Sequence, residues 1–490
     1  MHYLMNVYKN SYIILLLNQG VYEKIFKMID LFIEQIMKEP DKDTILKTKL
    51  EIIDWIGYAL AGTKTKQATP FCKLQQSLPE GHSLNLFGKR KLNVFDSAFI
   101  NASVGNILEL DDVHRTSIIH PGDTVIPAAI ATSSLVDIDI LNFLKAIVIG
   151  YETSIRMGIC MGENHYKIFY SSATCGVFGA AAASSYILNF KNNSESIYHK
   201  INTSIQLSTM ASSGVWQCRK GNGEAKQYAL ANASKSGVTS AFLAQNGAQT
   251  PLDMIEGELG FLKGYKDHID YKELIKVNNK LLINDVSNKP WPACRHSHPV
   301  IGVSLDLKKE LLKNNIQISQ ISEIVIETYK TAIDFCDKIK PKNDIEGKFS
   351  LQHCCAISLN YGDILEDYFK ENILNDIEIS EIREKVIIKN NSEMTDNFPN
   401  NYSASLLIKL KDGSILKKTN LNAKGDPENP MTEKEICDKT FNLINSNFNG
   451  LENIDLLIKN IISNEGDSLE KKLNWFDDLQ KLINKGTKKC

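Results

Sequence analysis

The chain of 490 residues contains no Cys-x-x-Cys pair among its 10 cysteines, and the only close pair is the adjacent Cys354 and Cys355. That removes the usual zinc and iron–sulfur ligand spacings and a secreted disulfide framework. Reduced thiols in a cytoplasmic protein are the expectation. Charge of one sign is also missing: 56 Lys+Arg stand against 58 Asp+Glu, a formal net of -2. No nucleic-acid or membrane partner is expected from such a balance, although a local basic pocket stays open. With 13 Pro and 28 Gly, the chain is neither collagen-like nor low-complexity. No long hydrophobic run exists. Tyr12-Ile-Ile-Leu-Leu-Leu17 is too short for a membrane span and short for a signal segment. Residues 1–27 are read as an N-terminal extension.

What is present is an ordinary globular composition, 43% hydrophobic and 23% charged, long enough for two domains. Apolar residues recur at helical spacing over 28–62, with Gly62 as a stop, and turns follow over 63–94. Helices are predicted over 95–110, 126–136, 142–157, 197–213 and 226–246. The run Phe178-Gly-Ala-Ala-Ala-Ala-Ser-Ser185 predicts a helix that close neighbours pack against. Near 285 the pattern changes. Strands are predicted at 321–328 and 385–389, then a hairpin of 403–411 and 414–418 about Asp412-Gly413. Helices are expected around 297–314 and 351–360. Thr432 and Glu435 stand at capping-box spacing for a returning helix. The fold class is therefore mainly α. A large, discontinuous helical-bundle domain spans 28–284 and 426–490, with an inserted α+β lid domain over 285–425.

Three polar segments could carry chemistry. Glu109-Leu-Asp-Asp-Val-His-Arg-Thr-Ser-Ile-Ile-His-Pro-Gly-Asp-Thr124 sets carboxylates beside His114 and His120. Imidazoles beside carboxylates suit proton transfer near neutral pH. Glu109 and Asp112 share a face if the preceding helix runs that far. The plain alternative is a polar interhelix loop whose Asp123 or Thr124 caps the next helix. Arg219-Lys-Gly-Asn-Gly-Glu-Ala-Lys226 leads into a helix start, where an anion could be held, or is simply a solvated basic turn. Lys289-Pro-Trp-Pro-Ala-Cys-Arg-His-Ser-His-Pro299 has no acid nearby in sequence and lies at the domain junction, where ligands often bind. It also reads as an exposed basic loop. Several fixed cations facing imidazoles favour a small polycarboxylate and proton transfer at a carbon beside a carboxylate.

Blocks along 28–485 resemble the MmgE/PrpD family, which includes 2-methylcitrate dehydratases and cis-aconitate decarboxylases. They are Asp54-Trp-Ile-Gly-Tyr-Ala-Leu-Ala-Gly62, Glu109-Leu-Asp-Asp112, His120-Pro-Gly122, Ala173-Thr-Cys-Gly-Val-Phe-Gly-Ala-Ala-Ala182, Lys289-Pro-Trp-Pro-Ala-Cys-Arg295, Lys348-Phe-Ser-Leu-Gln-His353 and Gly425-Asp-Pro-Glu-Asn-Pro-Met431. The resemblance implies an active site between a helical domain and its lid, usually in a homodimer, with no metal or organic cofactor. It places His120 and the Glu109–Asp112 segment in the site, and matches Lys226 and Lys289 to two family lysines. Two positions depart. Tyr170 stands where many relatives have histidine, and Val113 where many have threonine.

The expectation is a lyase, foremost a dehydratase, acting on a small di- or tricarboxylate. A decarboxylase or epimerase of a cis-aconitate- or iminodisuccinate-like acid, and a non-catalytic carboxylate binder, are the alternatives. His120, Asp112, His114, Tyr170, Lys226 and Lys289 are the expected catalytic set. Glu109, Arg219, Arg295, His296 and His298 are expected to contact substrate.

Overall fold

The computed structural model describes residues 20–88, 90–220, 223–265, 271–448, 454–463, 479–481 and 483–484. The protein is mainly α. Helix α1 (Gly20–Ile36) begins well before Met28, and the rest of the expected extension, residues 1–19, lies outside the described residues. Helix α2 (Lys42–Gly62) starts at Asp41, whose side chain accepts from the Thr44 amide at 2.8 Å. The stretch expected to be turns contains α3 (Thr69–Ser77), opened by Pro70 at its first turn. Helix α4 (Val94–Ala102) is shorter than predicted and stops well before Glu109.

The bundle continues with α5 (Gly122–Ser133), α6 (Ile140–Tyr166), α7 (Gly176–Asn189), α8 (Ser194–Ser208) and α9 (Ala225–Gln245). Helix α7 is the small-residue helix. It packs against α5, α6, α8 and α9 together. Its small side chains are what let four helices reach it. A Cβ on Gly179 would stand 1.9 Å from Ser154 Oγ and 2.3 Å from the Gly150 carbonyl.

A separate apolar cluster lies beyond residue 290. It joins α10 (His298–Lys313) and α11 (Leu351–Tyr361) to a four-stranded sheet of β1 (Ile321–Thr328), β2 (Val386–Asn390), β3 (Ala404–Leu410) and β4 (Ile415–Asn420). The strand order is β2-β1-β3-β4, with β1 and β2 parallel and the other pairs antiparallel. The hairpin turns at Asp412-Gly413, where Gly413 has φ 89°. Helix α12 (Glu433–Asn447) has the expected capping box between Thr432 and Glu435. It packs along α2. Thr440 Oγ1 donates to the Ile53 carbonyl at 2.9 Å, and Lys439 pairs with Asp54 at 2.7 Å.

Cys175, Cys218, Cys294, Cys336, Cys354, Cys355 and Cys437 are not disulfide-bonded, while Cys72 is, contrary to the expectation of reduced thiols throughout. No helix among the described residues is long and apolar enough to cross a membrane.

Candidate active site

Between α4 and α5, Leu110–Asp112 form neither helix nor strand and lead into Val113–His114. Glu109 and Asp111 both face Lys289, whereas Asp112 does not. Glu109 itself has φ 56°, an uncommon conformation for a residue with a side chain. Val113–His114 then pairs antiparallel with Val286–Ser287, in the register Val113↔Ser287 and His114↔Val286. Carried two residues further, that register sets Asp111 opposite Lys289. Lys289 Nζ lies 2.9 Å from Asp111 Oδ1 and 3.8 Å from Glu109 Oε2, and its side chain is fully buried.

A tight turn folds the next residues back, with Ile119 bridged to His114. It delivers His120 to the other side of Asp111. His120 Nδ1 stands 2.7 Å from Asp111 Oδ2 and 2.6 Å from the Asp112 carbonyl oxygen. A carbonyl only accepts, so Nδ1 carries a proton and Nε2 is the nitrogen left free of Asp111. Burial works to raise the Asp111 carboxyl, but His120, Lys289 and Lys226 outweigh it and hold it well below the usual range.

Lys226 enters from the first turn of α9 and pairs with Glu109 Oε1. Burial disfavours its charge, yet Glu109, Tyr170 and Asp111 hold the ammonium well above its ordinary range. Lys226 Nζ lies 6.0 Å from the Tyr170 ring centroid. Tyr170 stacks on Trp216 at 4.5 Å, and its hydroxyl accepts from Asn106 Nδ2 at 3.1 Å. Burial pushes this phenol well above its usual range, so it stays protonated.

Glu109 and Lys226 open onto a cavity of about 450 Å³. Arg219, Trp216 and Ile107 line it from the helical part. Asp334, Phe335, Lys338, Ile345, Lys348 and Phe349 line it from the chain beyond residue 290. Lys348 pairs with Glu366 at 2.8 Å and reaches the Leu108 carbonyl at 3.4 Å.

Six expected residues thus converge: Glu109, His120, Tyr170, Lys226, Lys289 and, along the cavity wall, Arg219. Others take different places. Asp112 turns inward and accepts from the Gly122 amide with both oxygens at 3.2 Å. Burial, then Glu51, pushes its carboxyl well above the usual range. The His114 ring contacts Ser117 Oγ at 2.9 Å and borders a different cavity of about 310 Å³ with Arg115 and Asp285. Arg295 binds Asp426, the Lys424 carbonyl and the His298 ring. His298 also contacts the Ala293 carbonyl at 3.1 Å. His296 meets Tyr329 OH at 2.7 Å within an aromatic nest of Phe335, Phe398 and Tyr402. Burial first, and Arg219 next, lowers His296 to about 3, so it is neutral. Arg295 and His298 brace the loop that carries Lys289, whereas His296 lies where the charges of Arg219, Lys289 and His120 reach it. Gly425 takes part in the same brace: it has φ 93°, and a Cβ there would stand 1.8 Å from the Asn288 carbonyl.

Sequence reasoning passed over Asp111 in favour of Asp112, because a helix was expected to continue to residue 110. It also missed Lys338 and Lys348. The Lys348-Phe-Ser block was visible as a pattern, but nothing local tied it to Glu109. Among the described residues no group of three or more His, Cys, Asp or Glu is placed to hold a metal ion.

The MmgE/PrpD N-terminal domain model matches residues 31–274, and the MmgE/PrpD C-terminal domain model matches residues 291–461. The chain belongs to the MmgE/PrpD family. Among curated relatives, this MmgE/PrpD chain is 23% identical to cis-aconitate decarboxylase of Homo sapiens over 412 residues, 81% of this chain and 82% of that one. It is 23% identical over 434 residues to a cis-aconitate decarboxylase-like protein of Aspergillus oryzae, 82% of this chain and 87% of that one. It is also 23% identical over 205 residues to a probable 2-methylcitrate dehydratase of Saccharomyces cerevisiae, 40% of this chain and 39% of that one.

Proposed function

We propose that this MmgE/PrpD protein is a lyase acting on a small polycarboxylate by proton transfer at a carbon next to a carboxylate. Lyase chemistry is what the named decarboxylase and dehydratase relatives share. The observation that carries the reading is the shared carboxylate of Asp111, with His120 on one oxygen and Lys289 on the other. An imidazole fixed through Nδ1 offers Nε2 for proton abstraction or return. Arg219 and Lys226 supply charge for substrate carboxylates at the cavity wall. In dehydration, His120 takes the carbon-bound proton, the electron pair forms the double bond, and the hydroxyl leaves with a proton from Tyr170. Residues 285–425 act in this reading as a lid over residues 28–284 and 426–490. The chain works as a homodimer, which sedimentation velocity would test.

Decarboxylation is the second reading. The decarboxylase relatives match over most of the chain and the dehydratase over less than half, and His120 would then protonate the carbon that loses carbon dioxide. The test is product analysis over a panel of di- and tricarboxylates in deuterated water. Alkene formation with water release supports dehydration, and carbon dioxide release supports decarboxylation. Deuterium uptake without either product would replace both with epimerisation. Binding without any conversion would leave a carboxylate-binding protein.

A further inference from the structure

The cavity of about 310 Å³ beside His114 shares no lining residue with the one at Glu109. Two cations, Arg115 and Lys276, and three carboxylates, Glu273, Asp285 and Glu428, line it. Arg115 pairs with Glu428 at 2.7 Å and Lys276 with Glu273 at 3.4 Å. Asp285 is left over: among the described residues its carboxylate forms no ion pair and no hydrogen bond. Burial raises that carboxyl, and Arg115 is the charge that acts most to lower it, with Lys280 and Lys47 behind. The floor has the opposite need. His114 is 3% exposed, and burial first, then Arg115, lowers its ring to about 3, so it is neutral. Its Nδ1 accepts from the Ser117 amide at 3.3 Å, which leaves the proton on Nε2. Among the described residues nothing accepts from that Nε2–H. Arg115 Nη1 is likewise buried without a hydrogen-bond acceptor, and reaches Asp426 Oδ2 only at 3.5 Å.

A buried N–H without an acceptor is costly, and so is a carboxylate withdrawn from water without a partner. A simple anion would satisfy the floor but meet repulsion from Asp285. A simple ammonium would pair with Asp285 but leave His114 and Arg115 unmet. No group of three or more His, Cys, Asp or Glu among the described residues is placed to hold a metal ion. One ligand class meets both needs. We infer that this cavity is a second binding site, for a small zwitterion such as an α-amino acid, with its carboxylate on His114 Nε2 and Arg115 Nη1 and its ammonium on Asp285. Ile159 and Leu282 give a short apolar side chain a surface to rest on, and the volume suits a small organic ligand. The site adjoins the scaffold of the active site. Arg115 shares Asp426 with Arg295 and Ser287 Oγ, and His114 pairs in register with Val286. An occupant therefore sits against the strand pair from which Lys289 follows.

The test is titration calorimetry on the full chain with glycine and L-alanine, beside propionate and ethylamine, which each carry one of alanine's two charges. Either amino acid is expected to bind saturably at one site per chain, about tenfold or more tighter than both single-charge compounds. Asp285→Asn should weaken that binding about tenfold or more. Asn278→Trp, which fills the cavity from its rim, should abolish it, and gives the same reading if Asp285→Asn does not fold, as judged by circular dichroism. No saturable binding by glycine or alanine overturns the inference. Propionate or ethylamine binding as tightly as alanine also overturns it, by marking a plain anion or cation site. Amino acid binding that survives both substitutions places the ligand elsewhere on the chain and overturns it too. The readout is binding, so the result stands whichever reaction the chain catalyses.

Discussion

Lys289 and His120, 169 positions apart in sequence, grip opposite oxygens of the Asp111 carboxylate at 2.9 and 2.7 Å. The contact couples the loop after Val286–Ser287 to the turn before α5. It also fixes which nitrogen of the imidazole points away from Asp111. Loss of either partner therefore acts on both stability and chemistry.

His120→Ala removes the proposed base. Turnover should fall by about 10²- to 10⁴-fold, the range a positioned acid–base group supplies. Steady-state kinetics with unchanged circular dichroism checks it. Near-normal turnover would take His120 out of the mechanism.

Asp111→Asn keeps the shape of the hub but removes its charge. The amide cannot stabilise an imidazolium as a carboxylate does, so kcat should drop by about 10²-fold or more while KM changes little. An effect confined to KM would mean that Asp111 serves binding alone.

Lys289→Met breaks a fully buried ion pair and leaves Asp111 short of one partner. Such losses cost about 3–5 kcal/mol. Urea unfolding should show that deficit, and combining the change with Asp111→Asn should recover part of it. Strict additivity of the two would deny the coupling.

The His114 imidazole is lowered to about 3 by burial first and Arg115 second, against about 6.5 in an unfolded chain. Between those values the unfolded state binds the extra proton. The stability that His114 contributes is therefore present above about pH 6.5 and is lost as pH falls toward 3, by about 1.4 kcal/mol per unit. Asn at 114 keeps an acceptor for the Ser117 amide and does not titrate. The stability difference between wild type and His114→Asn should thus shrink on acidification from pH 7 to pH 4, with denaturant midpoints as the readout. A pH-independent difference would contradict it.

Gly425→Ala forces a side chain onto the Asn288 carbonyl and onto a backbone with φ 93°. About 2 kcal/mol or more of stability should be lost, since neither conformation nor space suits alanine. Because Lys289 follows Asn288, turnover should fall as well. Unchanged activity with lowered stability would separate the brace from the site.

Much of the architecture was readable because it rests on local rules. Strand signals marked Ile321–Thr328, the Asp412-Gly413 turn marked the hairpin of β3 and β4, and Thr432 with Glu435 marked the start of α12. The site was harder. His120, Lys226 and Lys289 could be named from residue type and family pattern, whereas Arg295 and His298 have the right chemistry and are held elsewhere, on Asp426 and the Ala293 carbonyl.

By itself, the amino-acid order determined the helical periods, the turn and capping signals, and a supply of imidazole, carboxylate and ammonium groups in three short segments. Tertiary structure decided which of them meet. Just after Asp111 and Asp112, Val113–His114 pairs with a strand far away in sequence. That pairing turns Asp111 toward Lys289 and Asp112 toward the Gly122 amide. Local propensity reaches only a few residues, so a face chosen by a long-range strand pair cannot be read from it.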